Sequence, residues 1–357
     1  MFDRIMSSPP VHPHPPLFRS RLAVAALVAV ASLSGALGIS CRADDPEPLL
    51  AFREPALERG SVWLDMDPAI GEPLRDPDDG WAFVHARATL GSRLVGISVG
   101  YGNIADLDRQ QQITDELQAL FPSPPLPVHH GAERAEDLDR ETAASSAIAE
   151  QLGHEHLTLL ALGRLTTVAR VVAAHPELRS RVDEVLVIGG RRLESEPAIG
   201  KDARILPDSN FAADMAAVST LLESGVPLTL APTDLALTVV IEKADLDSLD
   251  RRGGASRYLA QRSRDWLEVW TAVLGARGFS PFDALATFLV ASPEKVTCEM
   301  LPAAIVDLPD RSFRGTGKDT PRVVVSRMLA SSRLVKFCNA SSADAKSELL
   351  AALPGGP

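Results

Sequence analysis

The stretch "SVWLDMDPAIGEPLRDPDDGWAFVHARATL" (61–90) joins a short apolar run to a helical pattern through an acidic loop. "SVWLD" (61–65) is almost continuously apolar, which is typical of a strand buried in a parallel sheet. "DDGWAFVHARATL" (78–90) carries apolar residues at helical spacing. Six acidic residues stand between Leu64 and Phe83, and charges this dense repel one another unless a cation lies among them. The loop is therefore either a solvated acidic surface or a cation site.

The same alternation of strand and helix continues along the chain. Further strands are predicted at "LVGISVG" (94–100), "LTLLAL" (157–162), "EVLVIGG" (184–190) and "PLTLAP" (227–232), and later at "PRVVVSRM" (321–328) and "RLVKF" (333–337). Helices are predicted at "DLDRQQQITDELQALF" (106–121), "LTTVARVVAAHPEL" (165–178) and "NFAADMAAVSTLLESG" (210–225), and a more helical region at about 241–293. Alternation of this kind predicts an α/β fold with a Rossmann-like, mostly parallel central sheet and helices on both faces.

Composition excludes several classes of function. The chain has 357 residues with 45% hydrophobic and 23% charged residues, which is ordinary for a globular protein. Its net charge of −11 argues against nucleic acid as a partner, because that affinity depends on clustered Lys and Arg. Neither a Cys/His cluster with zinc spacing nor a phosphate-binding GxxxxGK[ST] loop occurs in the sequence.

The N-terminal region predicts export. Arg19 and Arg21 precede the apolar run "LAVAALVAVASLSGALGIS" (22–40), and Cys41 follows it. This pattern indicates a signal peptide or lipoprotein signal over 1–41 and a linker over 42–60, and the α/β domain is expected over 61–353. A transmembrane anchor is the alternative for the apolar run. We expect a periplasmic or extracellular protein, with membrane attachment if Cys41 is lipidated.

Polar residues cluster where the predicted strands end. The acidic run follows the first strand, "GYGN" (100–103) ends the second, and "LGRLTT" (162–167) ends the next. Ligands of open α/β sheets bind at these carboxyl ends. Several carboxylates without Cys or His suit a hard cation, Ca²⁺ before Mg²⁺. Such a cation lowers the pKa of a bound water, and a neighbouring carboxylate removes the proton, so the pattern indicates a hydrolytic site.

Five motifs in order resemble the inosine/uridine-preferring nucleoside hydrolases, Ca²⁺-dependent enzymes that cleave the bond between ribose and base. The family's D-x-D-P-G-x-D-D is matched by Asp65-Met66-Asp67-Pro68-Ala69 and, after an insertion, by Asp78-Asp79. The others are Gly102-Asn103, Gly163-Arg164-Leu165-Thr166-Thr167, Asp208-Ser209-Asn210 with Asp214, and Phe282-Asp283-Ala284-Leu285-Ala286. The resemblance implies hydrolysis of a ribonucleoside or related ribosylated base, and a homo-oligomer is the common state of such proteins.

The resemblance also implies a role for each matching residue. Asp67 is expected to bind Ca²⁺ and to deprotonate the bound water. The other implied metal ligands are Asp79, Asp283 and the backbone carbonyl of Leu162. The implied substrate contacts are Asp78, Asn103, Asn210 and Asp208, with Asp208 near the 5′ end of the sugar. Asp65 is expected to support the loop through nearby amides. Taken alone, Asn103 suits a turn, Asn210 and Asp283 suit helix N-caps, and Asp65 suits a strand end.

The sequence departs from the family pattern in ways that leave alternatives open. "GEPLRDP" (71–77) is inserted in the acidic loop, and Phe282 stands where purine-accepting members often carry a His that protonates the leaving base. Arg164 replaces a Pro beside the expected cation site. These changes motivate an alternative function, a nucleoside- or sugar-binding relative with a metal site but impaired catalysis. A phosphatase of the haloacid dehalogenase type fits Pro68 and the Asp78-Asp79 pair badly. The accepted base, and whether Cys298 and Cys338 pair, stay open.

Overall fold

A computed structural model describes residues 60–313 and 315–356. The predicted signal and almost all of the predicted linker lie outside these residues. The strands are β1 (Ser61–Met66), β2 (Leu94–Val99), β3 (Val128–His130), β4 (Leu157–Ala161), β5 (Val182–Ile188), β6 (Arg191–Arg192), β7 (Ala198–Ile199), β8 (Arg204–Ile205), β9 (Leu228–Ala231), β10 (Val296–Pro309), β11 (Asp319–Val325) and β12 (Leu334–Ser341).

The helices in the described part of the chain alternate with the first strands and dominate its second half. They are α1 (Asp78–Leu90), α2 (Leu107–Gln118), α3 (Ala143–His154), α4 (Thr166–Ala174), α5 (Ser209–Ala213), α6 (Met215–Ser224), α7 (Thr233–Ala236), α8 (Lys243–Arg252), α9 (Gly254–Arg262), α10 (Arg264–Glu268), α11 (Phe282–Ala291) and α12 (Ala345–Ala352). A π-helical turn, Val269–Val273, follows α10. Among the residues described, no helix is both long and apolar enough to cross a membrane.

The central sheet has ten strands in the order β3-β2-β1-β4-β5-β9-β12-β10-β11-β6. The strands from β3 to β12 are parallel, whereas β10 is antiparallel to both of its neighbours. Strand order reverses between β1 and β4, so the connections leave these two strands in opposite directions along the sheet. Such a reversal opens a crevice at the carboxyl ends of the strands. The predicted mostly parallel α/β sheet is confirmed.

Helices cover the sheet because its strands are apolar on both sides. Trp63, Leu159 and Val185 belong to one buried cluster with apolar residues of α3, α4 and α6. The alternating residues Leu64 and Leu160 are also fully buried, as expected for side chains that point to the opposite face. A second group of helices is built around the contact between α1 and α11. This contact is important for the site, because both helices carry aspartate in their first turn.

All five strands predicted for the first part of the sheet are present, but β10 was not anticipated. Within it, Cys298 lies opposite Cys338 of β12, and the two form a disulfide. This result answers the question of pairing that the sequence left open. His129 and His130 belong to β3, which is an edge strand of the sheet.

Candidate active site

Asp67 is the first residue after β1 and lies in the crevice where strand order reverses. Its side chain is 4% exposed. Asn103, which follows β2, donates from its backbone N–H to Oδ2 of Asp67 (3.0 Å) and from Nδ2 to Oδ1 (3.1 Å). Nδ2 of Asn103 also approaches Oδ2 of Asp79 at 3.4 Å. The Asp67 carboxylate is therefore held on both oxygens, and Asn103 connects it to the start of α1.

Two glycines allow the backbone to approach this carboxylate. A Cβ placed on Gly102 would lie 1.5 Å from Oδ2 of Asp67, and one on Gly163 would lie 3.0 Å from its Cγ. No side chain fits at the first position while Asp67 keeps its place, so glycine is required there for steric reasons. Gly102 thus leaves the space that the Asp67 carboxylate occupies.

Three buried aspartates converge beside Asp67. Carboxylate oxygens of Asp78, Asp79 and Asp283 all lie within 4.8 Å of one another. The first two begin α1 and the third lies in the first turn of α11, so packing between the two helices brings them together. The backbone N–H of Asp67 also donates to Oδ1 of Asp79 (3.1 Å). Helix N-termini favour negative charge, which partly offsets the repulsion among these acids.

Burial and mutual repulsion act strongly on these acids. Burial raises the pKa of Asp67 to about 6, although the nearby Arg164 charge opposes this change. The pKa values of Asp79 and Asp283 are raised well above the usual range, first by burial and then by neighbouring carboxylates. A cation would reverse these shifts by stabilising the ionised forms. Hard oxygen donors, buried close together, fit a divalent cation such as Ca²⁺ or Mg²⁺.

The three carboxylates of the converging group differ in one member from the carboxylates of the ligand set implied by the resemblance, because Asp78 takes the place of Asp67. That set contains Asp67, Asp79, Asp283 and the Leu162 carbonyl, whereas the tight group contains Asp78, for which a ribose contact was predicted. Asp283 is inside α11 and is not its N-cap. These ligand and substrate assignments stay predictions, with their residues placed around one crevice.

The Leu162 carbonyl belongs to a short chain of hydrogen bonds. It accepts from Nδ2 of Asn210 at 2.7 Å, and Oδ1 of Asn210 accepts from Nη1 of Arg164 at 2.6 Å. Arg164 therefore points towards the site, which the sequence left undecided. Asn210 lies within the short helix α5 and is not its N-cap.

Asp208 and Asp65 are occupied by contacts within the protein. Asp208 is the N-cap of α5 and accepts from the backbone N–H groups of Phe211 (3.4 Å) and Gly190 (2.8 Å). Asp65 lies within β1 and accepts from the Ser98 hydroxyl, so the expectation that it binds amides is not met by this contact. Burial raises the pKa of Asp65 to about 7. Asp208 thus links α5 to the loop after β5, and Asp65 links β1 to β2.

Asp76 is a member of the acidic neighbourhood to which the sequence gave no role. It lies in the inserted segment, and its Oδ1 accepts from the Asp78 backbone N–H at 3.3 Å. Burial and the Asp78 charge raise its pKa well above the usual range. The insertion is itself anchored, because Glu72 pairs with Arg109 of α2 at 2.8 Å. The only sequence indication was the position of Asp76 in the acidic run.

The side of the site next to Asp283 is aromatic. Phe282 is half-buried, and its ring centroid lies 6.3 Å from that of Trp270. Trp270 lies in the π-helical turn and is buried, as is Trp266 one turn earlier. π-helical turns are frequent at functional sites. A phenyl ring has no proton to donate, so Phe282 cannot replace a histidine acid.

Comparison with known proteins identifies the family of this chain. The family model "Inosine-uridine preferring nucleoside hydrolase" matches residues 62–325. A pyrimidine-specific ribonucleoside hydrolase RihA of Klebsiella pneumoniae is 29% identical over 28% of this chain and 30% of its own length. The RihA of Photobacterium profundum is 26% identical over 43% of this chain and 47% of its own length. The match thus spans less than half of these curated relatives.

Solved structures share the fold over a much greater length. A plant nucleoside hydrolase, PpNRh1, superimposes with a TM-score of 0.67 at 17% identity, over 84% of this chain and 100% of its own. A purine-preferring ribonucleoside hydrolase from Gardnerella vaginalis gives a TM-score of 0.63 at 17% identity, over 82% of this chain and 97% of its own. At such identities the likeness concerns the fold.

Proposed function

The chain belongs to the inosine-uridine preferring nucleoside hydrolase family, and we propose that it hydrolyses the N-glycosidic bond of a ribonucleoside or a related ribosylated base with the help of Ca²⁺. The observation that supports this most directly is the convergence of buried carboxylates at the point where strand order reverses. A site of this composition favours both a hard cation and positive charge developing on a sugar.

Asp67 is the residue proposed to remove a proton from the attacking water. Its two oxygens are oriented by Asn103, which limits rotation of the carboxylate and fixes the direction of proton transfer. Asp79 and Asp283, with Asp67 and the Leu162 carbonyl, are the proposed Ca²⁺ ligands. When bound, Ca²⁺ neutralises the carboxylates and lowers the pKa of a coordinated water.

The same residues surround the place proposed for the sugar. Asp78 and Asn103 lie beside Asp67, and Asn210 of α5 contacts the Leu162 carbonyl at the end of β4. We propose that these three bind ribose hydroxyls and that Asp208 lies near the 5′ end. Carboxylates close to the ring stabilise the oxocarbenium-like transition state of glycosidic cleavage.

A second candidate function is a nucleoside- or sugar-binding protein that keeps the metal site and has impaired turnover. Phe282 supports it, because a proton donor is missing at that position and general acid catalysis typically contributes about 10²–10⁴-fold. Nucleosides with a base that leaves easily would still be cleaved by an enzyme of this kind. A chromogenic p-nitrophenyl riboside separates the two candidates, because its leaving group departs without protonation.

The test is calcium-dependent release of ribose. The mature chain, from about Ala43, is incubated with purine and pyrimidine ribonucleosides and with p-nitrophenyl riboside, with Ca²⁺ or with chelator. Asp67→Asn should abolish release, whereas Asp108→Asn should not, because the Asp108 side chain is 86% exposed on α2. Release from no substrate despite tight Ca²⁺ binding would favour the binding protein, and full activity of Asp67→Asn would overturn the assigned base.

We also propose that the protein acts after export. The N-terminal pattern supports this, and so does the Cys298–Cys338 disulfide, since disulfides persist mainly in oxidising compartments. Attachment through a lipidated Cys41 and a homo-oligomeric state belong to the same proposal. Fractionation of cells that express the wild type and Cys41→Ala tests it: a membrane-bound wild type and a released variant are expected. Intact Arg19 in the purified protein would contradict cleavage.

A further inference from the structure

Arg164 is a cation at a site made of carboxylates. It is half-buried in the loop after β4, and Nη1 donates to Oδ1 of Asn210 at 2.6 Å. Its charge lowers the pKa of both Asp67 and Asp208, so the guanidinium is close enough to affect the proposed metal side and the proposed 5′ side of the crevice. An arginine in this position opposes binding of a second cation nearby. A compensating role in the site is therefore to be expected.

The hydrogen bonds around Asn210 show what that role is. A guanidinium offers only donors, so the atom of Asn210 that faces Arg164 must be the carbonyl Oδ1. The Leu162 carbonyl is only an acceptor, so the atom facing it, 2.7 Å away, must be Nδ2. The two partners together permit one orientation of the amide. Nδ2 then retains a second N–H, which can donate to a sugar hydroxyl.

We propose that Arg164 is a positioning residue that holds Asn210 as a hydrogen-bond donor towards the sugar, and that its charge weakens Ca²⁺ binding by the neighbouring carboxylates. The part that concerns the sugar rests on the proposed function. The two effects have different physical origins, because one needs an N–H donor at residue 164 and the other needs a positive charge. They can therefore be separated by substitution.

A double-mutant cycle tests the positioning role. Arg164→Met should raise KM for the best nucleoside by about tenfold, as expected for loss of a hydrogen bond to a charged group, with a smaller change in kcat. Arg164→Gln keeps an N–H donor and should restore most of the KM. In the Asn210→Ala background, Arg164→Met should change KM by less than about twofold, because its partner is already gone. Additive effects would overturn the positioning role.

Calcium affinity tests the role of the charge. Titration calorimetry with Ca²⁺ alone should show binding about three- to tenfold tighter in both Arg164→Met and Arg164→Gln, since both remove a like charge. Arg164→Lys retains the charge and should bind as the wild type does. The tightening should persist in the Asn210→Ala background. Equal Ca²⁺ affinity in all variants would overturn this part of the inference.

A control variant, Arg170→Met, and affinity for ribose separate failure of this inference from failure of the proposed function. Arg170 is half-buried on α4, and Arg170→Met should change neither KM nor Ca²⁺ affinity. Melting temperatures show whether each variant is folded. If Arg164→Met does not fold, the comparison of Arg164→Gln with Arg164→Lys provides the test. If the wild type hydrolyses no nucleoside, the proposed function fails, and the same cycle measured on the affinity for ribose decides the inference.

Discussion

Gly102→Ala should disable the enzyme without unfolding it. The new Cβ would lie 1.5 Å from Oδ2 and 2.5 Å from Cγ of Asp67. Because Cβ atoms essentially never approach other atoms within 3.0 Å, the carboxylate must move by about 1.5 Å (3.0 − 1.5). That movement breaks the two hydrogen bonds from Asn103. A misplacement of about 1 Å at a reacting group costs on the order of 10²-fold in rate.

The measurement is kcat/KM for ribose release at saturating Ca²⁺, together with the melting temperature. We expect a loss of at least about 100-fold, equivalent to about 2.7 kcal/mol of transition-state stabilisation. Gly100→Ala is the matched control, because its Cβ would meet atoms no closer than 3.6 Å, at the Ala132 carbonyl. It should keep activity within about twofold of the wild type. If both variants are equally active, the observed position of Asp67 is not needed for catalysis.

Three further predictions concern the pH dependence of stability, the disulfide and the leaving group. Burial lowers the pKa of His85 to about 4, so its stabilising contribution is complete above pH 6.5 and is lost as pH falls towards 4. The free energy of unfolding should therefore fall by on the order of 3 kcal/mol over this range in the wild type, and His85→Gln should remove this part of the pH dependence in denaturant titrations. An unchanged pH dependence in the variant would contradict a buried neutral imidazole. Replacing Cys298 and Cys338 together by Ser should lower the free energy of unfolding by about 4 kcal/mol for a separation of 40 residues. Urea titrations with and without reductant check this, because reductant should destabilise the wild type and leave the double variant unchanged. Phe282→His should raise kcat for purine nucleosides by at least about tenfold by supplying a proton donor, with little change for p-nitrophenyl riboside; an equal gain on both substrates would indicate a different cause.

The parallel half of the sheet was predictable because each of its strands is a short apolar run. A strand buried on both faces is apparent from its own residues, without knowledge of its neighbours. β10 has no such local pattern: it is mostly half-buried, contains Pro302, and mixes Glu299 and Asp307 with apolar residues. Its pairing with β12 is a long-range contact. Tertiary structure therefore determines this strand in a way that no short window of sequence expresses.

The sequence predicted which loops meet at the site. It did not predict most of the contacts between individual atoms. Residues at the carboxyl ends of β1, β2 and β4 had to converge once the sheet was parallel. The approach of Asp78 to Asp283 depends on how α1 packs against α11. The direction of a long side chain such as Arg164 depends on a partner 46 positions away. Short-range patterns contain neither kind of information.

The two halves of the site place different demands on the proposed reaction. Cleavage of an N-glycosidic bond develops positive charge on the sugar and negative charge on the base. The buried carboxylates around Asp67 act on the first of these charges, and Arg164 limits how negative that region becomes. In the proposed reaction the base, and with it the negative charge, would lie beside Phe282 and Trp270, which are apolar and aromatic. With no donor at residue 282, the barrier depends on how well the base itself carries the charge. The enzyme should therefore discriminate among substrates mainly by leaving-group ability, and it is this selectivity, rather than affinity for the sugar, that Phe282→His should weaken.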